Sequence, residues 1–273
     1  MTGVLYVIAT PIGNLGDISS RAVDVLSSVE MIAAEDTRRT RRLLAAIDVQ
    51  TPKLLALHDH NVAAVSARVV TALLTGGSVA LVSDAGTPLV ADPGFELVRR
   101  CFDEGIEVLP VPGASALMCA LSVCPLPMTD FRFLGFLPAK SAQRQKRLGA
   151  AIAEGSPFVF FEAPHRMQAC LVDIAKLAAD RRVFIGREMT KQYESYLCDF
   201  AQPLGQRLEV NQQWRGEFVC VVEGQAGRGS TADARHMMRV LCQEMAPAQA
   251  ARVGAELLGL KKSELYELAL TLK

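Results

Sequence analysis

The chain has 273 residues, half of them apolar, and 29 basic side chains balance 29 acidic ones to give a formal net charge of zero. This length predicts about two domains, and the charge balance gives no overall electrostatic case for a nucleic-acid or membrane partner. Seven scattered cysteines without a CxxC pair disfavour a disulfide framework and a zinc site. We expect a cytoplasmic protein, because the first residues do not resemble a signal peptide and no apolar run reaches membrane-spanning length.

The N-terminal part of the chain alternates short apolar runs with amphipathic stretches. The runs predict strands at residues 4–9, 31–34, 54–57, 79–82 and 106–111, and the stretches predict helices at 21–29, 37–47, 62–74, 94–103 and 114–123. Asp92-Pro93 predicts a helix start, with Asp92 as N-cap and Pro93 at the first helical position. Such alternation is typical of βαβ units, so we expect an α/β domain over residues 1–124 with a mostly parallel sheet.

A proline-rich break, Cys124-Pro125-Leu126-Pro127, separates this part from a different pattern. Strands are predicted at 131–136, 158–161, 183–186, 193–200 and 218–222, and helices at 142–153 and 166–178. Because some of these strands follow each other without a helix, we expect a mixed sheet in a second α/β domain over residues 125–225. Residues 225–230 predict a flexible linker, and residues 226–273 predict a tail with two or three short helices in helix-turn-helix packing.

Three Gly- and Pro-containing loops follow strands of the first domain. They are residues 9–17, 83–94 and 110–116, and the chain has no GxGxxG or Walker pattern, which disfavours a dinucleotide or P-loop site. Ligands of open α/β sheets bind in loops at the carboxyl ends of strands, so we expect a small-molecule site there. The alternative is a set of ordinary strand-to-helix connections with strong turn residues.

A charged segment follows the second predicted strand. Glu35-Asp36 precedes four arginines at positions 38, 39, 41 and 42. Cations near a helix N-terminus oppose the helix dipole, so their presence there suggests an anionic partner such as phosphate. The alternative is a solvated basic face that pairs with Glu35 and Asp36.

In the second domain, acidic and basic residues stand together after two strands. Glu162-Ala163-Pro164-His165-Arg166 follows one strand, and Arg187-Glu188-Met189-Thr190-Lys191 follows another. Such groups suit proton transfer or substrate positioning, and the alternative is two ion pairs between domains. His58-Asp59-His60 has a metal-like spacing without a third ligand, so we expect a polar loop or substrate contact and no metal.

Taken in chain order, these motifs resemble those of one known family. The motifs that carry the resemblance are Thr10-Pro11-Ile12-Gly13-Asn14, Glu35-Asp36-Thr37-Arg38, Ser83-Asp84-Ala85-Gly86-Thr87-Pro88, Asp92-Pro93-Gly94, Pro112-Gly113-Ala114-Ser115-Ala116, Glu162-Ala163-Pro164-His165-Arg166, Arg187-Glu188-Met189-Thr190-Lys191 and Gly216-Glu217-Phe218. The ordered set closely resembles the bacterial ribosomal RNA small-subunit methyltransferases of the tetrapyrrole (class III) methylase superfamily. The resemblance covers nearly the whole chain, including the tail.

This resemblance implies two α/β domains with S-adenosylmethionine in the cleft between them, a helical tail and a homodimer. It implies 2′-O-methylation of a cytidine ribose in the decoding region of 16S rRNA, with the 30S subunit as the expected form of the substrate. The residues implied to bind the cofactor are Thr10, Pro11, Asp84, Gly86, Thr87, Pro88, Val90, Ser115, Ala116, Ala163 and Pro164, with further contacts near Phe136-Leu137. Relatives that methylate tetrapyrroles carry Gly-Asp-Pro where this chain has Gly86-Thr87-Pro88.

A ribose hydroxyl is a poor nucleophile, so methyl transfer requires in-line placement and removal of the hydroxyl proton. We expect Glu162 or Glu188 to take that proton, with His165 behind them. The candidate phosphate contacts are Arg38, Arg41, Arg42, Arg166 and Lys191, and a second basic stretch contains Lys140, Arg144, Lys146 and Arg147. Two alternatives stay open, namely a methylase of a small tetrapyrrole and a non-enzymatic nucleic-acid-binding protein built on the tail.

Overall fold

The chain divides by its internal contacts into two units in the computed structural model. The structure describes residues 2–58, 60–128, 130–225 and 231–272, without the side chains of 231–233 and 236. Unit 1 comprises Met1–Val123 and Gly186–Tyr196, and unit 2 comprises Cys124–Ile185 and Leu197–Lys273. Residues 186–196, expected within the second domain, therefore pack with unit 1. The expected linker at 225–230 lies outside the described residues except for Gln225.

Unit 1 is built on a five-stranded parallel sheet. Its strands are β1 (Val4–Ile8), β2 (Met31–Ala34), β3 (Lys53–Ala56), β4 (Val79–Val82) and β5 (Glu107–Val111), in the spatial order β3-β2-β4-β1-β5. Its helices are α1 (Ser20–Ser28), α2 (Thr37–Ala46), α3 (Val62–Leu74), α4 (Phe95–Asp103) and α5 (Ala116–Ser122). The predicted α/β alternation is confirmed, and the parallel strands place the loops after β1, β4 and β5 at one edge.

Both faces of this sheet are covered by helices. One apolar core joins Leu5 and Leu81 to side chains of α3 and α4, and the other joins Ile8 and Ile32 to side chains of α1 and α2. Every residue of β2 and β4 is buried. This burial on both faces explains why these strands are uninterrupted apolar runs in the sequence.

The predicted helix start at Asp92-Pro93 is wrong. Helix α4 begins at Phe95, and its N-cap is Gly94, whose φ of 131° is a backbone conformation that L side chains rarely adopt. Asp92 lies two residues before this N-cap and is partly buried, which raises the pKa of its carboxyl group. No side chain caps the start of α4 among the described residues.

Unit 2 contains a mixed five-stranded sheet. Its strands are β6 (Arg132–Phe136), β7 (Phe158–Glu162), β8 (Arg182–Arg187), β9 (Ser195–Phe200) and β10 (Phe218–Val222), in the order β6-β7-β10-β8-β9. Strand β7 runs parallel to β6 and antiparallel to β10, which confirms the expected mixed sheet. The helices that pack on this sheet are α6 (Ser141–Glu154), α7 (Pro164–Leu177) and α8 (Ala201–Val210).

Helix α8 was not predicted from the sequence. Pro203 and Gly205 look like helix breakers, but Pro203 lies in the first turn, where a missing backbone N–H has no partner to lose. Ala201, Leu204 and Leu208 are buried at helical spacing against the core of unit 2. Tertiary packing of this apolar face therefore outweighs the low helix propensity of Pro203 and Gly205.

The tail forms three short helices, α9 (Thr231–Glu244), α10 (Pro247–Leu258) and α11 (Lys262–Thr271), as expected. They enclose a small core of their own, which consists of Ala234, Met238, Ala250, Ala251, Leu265 and Ala269. Gly254 lies where the three helices approach each other, because a Cβ there would stand 2.9 Å from Met238 Sδ and 3.2 Å from Leu265 Cδ1. None of the described helices is long and apolar enough to cross a membrane.

Replacing Gly254 by Val is expected to destabilise the tail by about 1–3 kcal/mol, because the added methyl groups overfill its core. Limited proteolysis should show faster cleavage within residues 231–272. Gly205→Val is the matched control, since Gly205 is also helical but has no heavy atom within 4 Å of an added Cβ. Equal protease resistance of Gly254→Val and the unmodified chain would contradict this description of the tail core.

Candidate functional site

The loops after β1, β4 and β5 are joined to one another at the carboxyl edge of the unit 1 sheet. Thr10 and Gly86 exchange two backbone hydrogen bonds, each 2.9 Å long. The Thr10 hydroxyl donates to the Ser83 carbonyl at 3.3 Å, and the Thr87 hydroxyl donates to the Ala114 carbonyl at 3.1 Å. The three loops that the sequence marked as ligand loops are therefore neighbours.

Glycine leaves room for close contacts at two points of this edge. Gly86 has a φ of 79°, and a Cβ there would lie 3.3 Å from Ile12 Cγ2. Gly113 would place a Cβ 3.1 Å from the Cβ of Ala9. The remaining unit 1 residues that the resemblance marked as cofactor contacts lie on the same three loops or at the start of α5, and they are Pro11, Asp84, Pro88, Val90, Ser115 and Ala116.

Three carboxylates stand beyond the ends of β2 and β4. Asp84 accepts a hydrogen bond from the Asp36 backbone N–H at 2.9 Å and pairs with Arg39 at 3.2 Å. Burial raises the pKa of Glu35, and the neighbouring charges of Asp84 and Asp92 raise it further. Burial likewise raises the pKa of Asp92. This edge therefore offers carboxylate acceptors to the hydroxyl or ammonium groups of a ligand.

The arginines of α2 do not share one environment. Asp36 is the N-cap of α2 and accepts from both the backbone and the guanidinium of Arg38, whose hydrogen bond holds the pKa of the carboxyl well below its usual range. Arg39 pairs with Asp84. Arg41 and Arg42 are exposed, and the described part of the chain provides no carboxylate within ion-pair distance of either. Two of the four arginines are therefore paired, with Asp36 and Asp84, and two face solvent, while the expected anionic partner stays a prediction.

Residues 186–196 bring two further candidates into unit 1. Lys191 Nζ pairs with Glu188 Oε1 at 2.9 Å, and a Cβ on Gly13 would overlap the side chain of Lys191 at Cγ. The lysine stem therefore lies across the backbone of the loop after β1. Glu188 and Thr190 both have positive φ, at 50° and 65°. Strained backbone of this kind, above all at a β-branched residue, is concentrated at functional sites.

The Glu162 carboxylate is enclosed within unit 2. Its side chain is fully buried, and Oε1 accepts from Arg166 at 2.6 Å and from the Ala163 backbone N–H at 2.8 Å. Arg166 also donates to the Leu137 carbonyl at 3.3 Å. His165, one residue earlier in α7, is exposed. Among the described residues, Glu162 and Arg166 are thus partners of each other, and the predicted contacts Ala163 and Pro164 begin the helix that carries Arg166.

Arg144 does not belong to a basic surface, which corrects one expectation from the sequence. Its guanidinium is buried and pairs with Asp173 at 2.7 Å. Lys140, Lys146 and Arg147 on the same segment are exposed. The spacing of Arg144 with the buried Leu148 and Ala151 marks the core-facing side of α6, and this periodicity was the signal in the sequence that could have revealed its burial.

Comparison with known proteins assigns this fold to a class. Residues 4–204 match the family described as Tetrapyrrole (Corrin/Porphyrin) Methylases, and residues 228–273 match the RsmI C-terminal HTH domain. Among solved structures, the methyltransferase CobJ superposes with a TM-score of 0.59 at 17% identity, covering 84% of this chain and 97% of that one. A uroporphyrin-III C-methyl transferase from Thermus thermophilus, solved with S-adenyl homocysteine, gives 0.52 at 15% identity, with 81% and 97% covered. The chain therefore has the tetrapyrrole methylase fold.

Curated relatives narrow the class. Ribosomal RNA small subunit methyltransferase I of Xylella fastidiosa (strain Temecula1) is 45% identical over 97% of this chain and 98% of the relative. The proteins of the same name from Pseudomonas aeruginosa and Escherichia coli O157:H7 are 44% and 43% identical, over 98% of this chain and 97% and 95% of their own lengths. The chain belongs to the ribosomal RNA small subunit methyltransferase I family within the tetrapyrrole methylases. The family expected from the motifs, its fold and its enzyme class are confirmed.

Proposed function

We propose that this enzyme transfers the methyl group of S-adenosylmethionine to the 2′-hydroxyl of a cytidine ribose in the decoding region of 16S rRNA. The observation that carries the proposal is the joined set of loops at the carboxyl edge of unit 1, in a chain whose relatives are named for ribosomal RNA. The substrate is the assembled 30S subunit, the enzyme works in the cytoplasm, and it is a homodimer. Sedimentation equilibrium of the purified chain tests the last point.

The residues of the unit 1 edge suit this cofactor. Gly86 and Gly113 leave room for close approach to the backbone, and Asp84 and Asp92 complement the positive charge of a sulfonium and an ammonium group. Ala163 and Pro164 stay predicted cofactor contacts. When bound, the cofactor supplies an activated methyl group, so the protein has to place the ribose hydroxyl in line and remove its proton.

Glu188 is the residue to which we assign proton removal. Its carboxylate pairs with Lys191, and the side chain of Lys191 lies across the loop after β1. Both residues therefore belong to the same unit as the predicted cofactor loops. Glu162, the other carboxylate considered, is buried and already accepts two hydrogen bonds on one oxygen. His165 is exposed, and we assign no proton transfer to it. Lys191 stabilises Glu188 and is our candidate for a contact to a phosphate that flanks the target nucleotide.

Binding of the RNA backbone rests on exposed cations. Arg41 and Arg42 of α2 and the exposed Lys140, Lys146 and Arg147 supply phosphate contacts. Arg38 is 81% exposed although it pairs with Asp36, so it can contribute through its outer face. Arg166 is only 18% exposed and pairs with Glu162, so it is not among these phosphate contacts.

The double variant Arg41→Ala, Arg42→Ala is expected to weaken binding to 30S subunits and to reduce the slope of log K against log salt concentration by about 2, since each phosphate contact contributes about 1. A filter-binding series in potassium chloride measures this slope. Arg99→Ala, Arg100→Ala is the control pair, because both side chains form ion pairs with Glu96 on α4. An unchanged slope for the α2 variant would remove Arg41 and Arg42 from the RNA surface.

The proposed activity is tested with cofactor carrying a labelled methyl group. We expect label in 30S subunits, at one cytidine that becomes resistant to alkaline hydrolysis, and none in uroporphyrinogen III. Label in the tetrapyrrole would identify a small-molecule methylase. Label in neither substrate, together with RNA binding by the purified chain, would identify a non-enzymatic binding protein.

A further inference from the structure

Two arginines, the buried Arg144 and the partly buried Arg166, donate to alternate carbonyl groups of one loop in unit 2. The loop is Leu137-Pro138-Ala139, which follows β6. Arg166 Nη1 donates to the Leu137 carbonyl at 3.3 Å, and Arg144 Nη1 donates to the Ala139 carbonyl at 3.3 Å. The two arginines come from different helices, α7 and α6. They therefore fix the backbone on both sides of Pro138.

Each arginine is itself held by a buried carboxylate. Arg166 pairs with Glu162 at 2.6 Å, and Arg144 pairs with Asp173 at 2.7 Å. Gln145 donates to the second oxygen of Asp173 at 2.8 Å. Buried ion pairs contribute little stability compared with apolar side chains of similar volume, so stability alone does not account for two of them beside one loop.

The sheet does not fix this loop by itself. The β6–β7 pairing shifts register between Phe133 and Phe136, and Gly135 within β6 has a φ of 65°. The same Glu162 oxygen that holds Arg166 also accepts from the Ala163 N–H at 2.8 Å. Since β6 and β7 are parallel, these hydrogen bonds tie together two neighbouring loops at the carboxyl edge, where α/β sheets bind ligands.

We propose that Arg144 and Arg166 are positioning residues that hold the backbones of 137–139 and Ala163 in the shape that binds S-adenosylmethionine. This inference rests on the proposed function and on the cofactor contacts predicted near Phe136-Leu137 and at Ala163-Pro164. In it, Arg166 acts on the protein backbone and not on an RNA phosphate, and Glu162 orients Arg166 and does not take a proton. Asp173 has the equivalent role toward Arg144.

The test compares Arg144→Met and Arg166→Met with Arg181→Met. Arg181 is also buried and donates to a backbone carbonyl, that of Ile152, but Ile152 lies near the far end of α6 and away from the loop. Equilibrium dialysis with labelled cofactor should show about tenfold or weaker binding for the first two variants and unchanged binding for Arg181→Met. With 30S subunits, KM for the cofactor should rise by the same factor, while kcat at saturating cofactor stays within about threefold.

More conservative variants test the same proposal if the Met variants fail to fold. Glu162→Gln and Asp173→Asn keep the side-chain shapes and weaken the hold on each arginine, so they should raise the cofactor dissociation constant severalfold at unchanged circular dichroism. Arg166→Lys keeps the positive charge opposite Glu162 but replaces the planar guanidinium with a single ammonium nitrogen. The cofactor affinity of this variant should lie between those of Arg166→Met and the unmodified chain.

Three results would overturn the positioning role. One is unchanged cofactor affinity in Arg144→Met and Arg166→Met. Another is a reduced salt slope of RNA binding in Arg166→Met, which would make it a phosphate contact. The third is an equal loss of cofactor affinity in Arg181→Met, which would indicate general destabilisation. Failure of the proposed function is a separate result, because the unmodified chain would then show neither cofactor binding nor transfer to 30S subunits.

Discussion

Glu188→Gln should lower kcat for methylation of 30S subunits by about 100- to 10,000-fold, because the amide cannot accept the proton of the ribose hydroxyl. The substitution keeps the size of the side chain and its ability to bind Lys191 at 2.9 Å. The cofactor dissociation constant should therefore change little. Single-turnover rates across pH measure the effect, and the rate of the variant should lose the fall at acidic pH that a carboxylate base produces.

Glu162→Gln is the informative comparison for Glu188→Gln. Both residues lie at strand ends and both are paired with a cation. Glu162 is buried in unit 2, whereas the partner of Glu188, Lys191, lies against the loop after β1. At saturating cofactor, Glu162→Gln should keep kcat within about threefold, since its effect is on cofactor affinity. If Glu162→Gln lost the acidic fall of the rate and Glu188→Gln kept it, the assignment of the base would be reversed.

Much of the secondary structure could be predicted from the sequence, because strands that are buried on both faces are continuous apolar runs. The four residues of β2 and the four of β4 are buried on both faces, so their apolar runs mark both strands without ambiguity. Helix α8 was harder to predict, because Pro203 and Gly205 are typical of loops and interrupt the apolar pattern of its buried face. The start of α4 was misjudged because Asp-Pro is typical of a helix start, whereas the N-cap here is Gly94 with a φ of 131°, a conformation that the sequence does not display.

For the candidate site, the sequence alone predicted only which loops contribute to it. The sequence located the strand-end loops, but the hydrogen bonds between Thr10 and Gly86 depend on the strand order, which the sequence does not display. The placement of Lys191 over Gly13 depends on residues 186–196 packing with unit 1. Charge was the least reliable guide, since Arg144 looks like a surface cation in the sequence and is a buried partner of Asp173.

Gly86→Val should abolish measurable cofactor binding, with a loss of affinity of about 100-fold or more. A β-branched residue is strongly disfavoured at a φ of 79°, and its Cβ would lie 3.3 Å from Ile12. Relief of this strain requires the loop after β4 to move, which breaks the two hydrogen bonds with Thr10. Calorimetric titration with S-adenosylhomocysteine, which resembles the cofactor without its methyl group, measures the loss.

Gly105→Val is the matched control, because it introduces the same backbone strain as Gly86→Val at a position away from the predicted cofactor loops. Gly105 also has a positive φ, 66°, but no atom lies within 4 Å of an added Cβ, and it precedes β5 at the opposite edge of the sheet. Each Val variant should lose about 1–2 kcal/mol of stability from the left-handed backbone, while only Gly86→Val loses the ligand. Gly86→Asn should recover part of the binding, because Asn tolerates this conformation better than Val. Equal affinities of the Gly86 and Gly105 Val variants would mean that the joined loops of unit 1 are not where the cofactor binds.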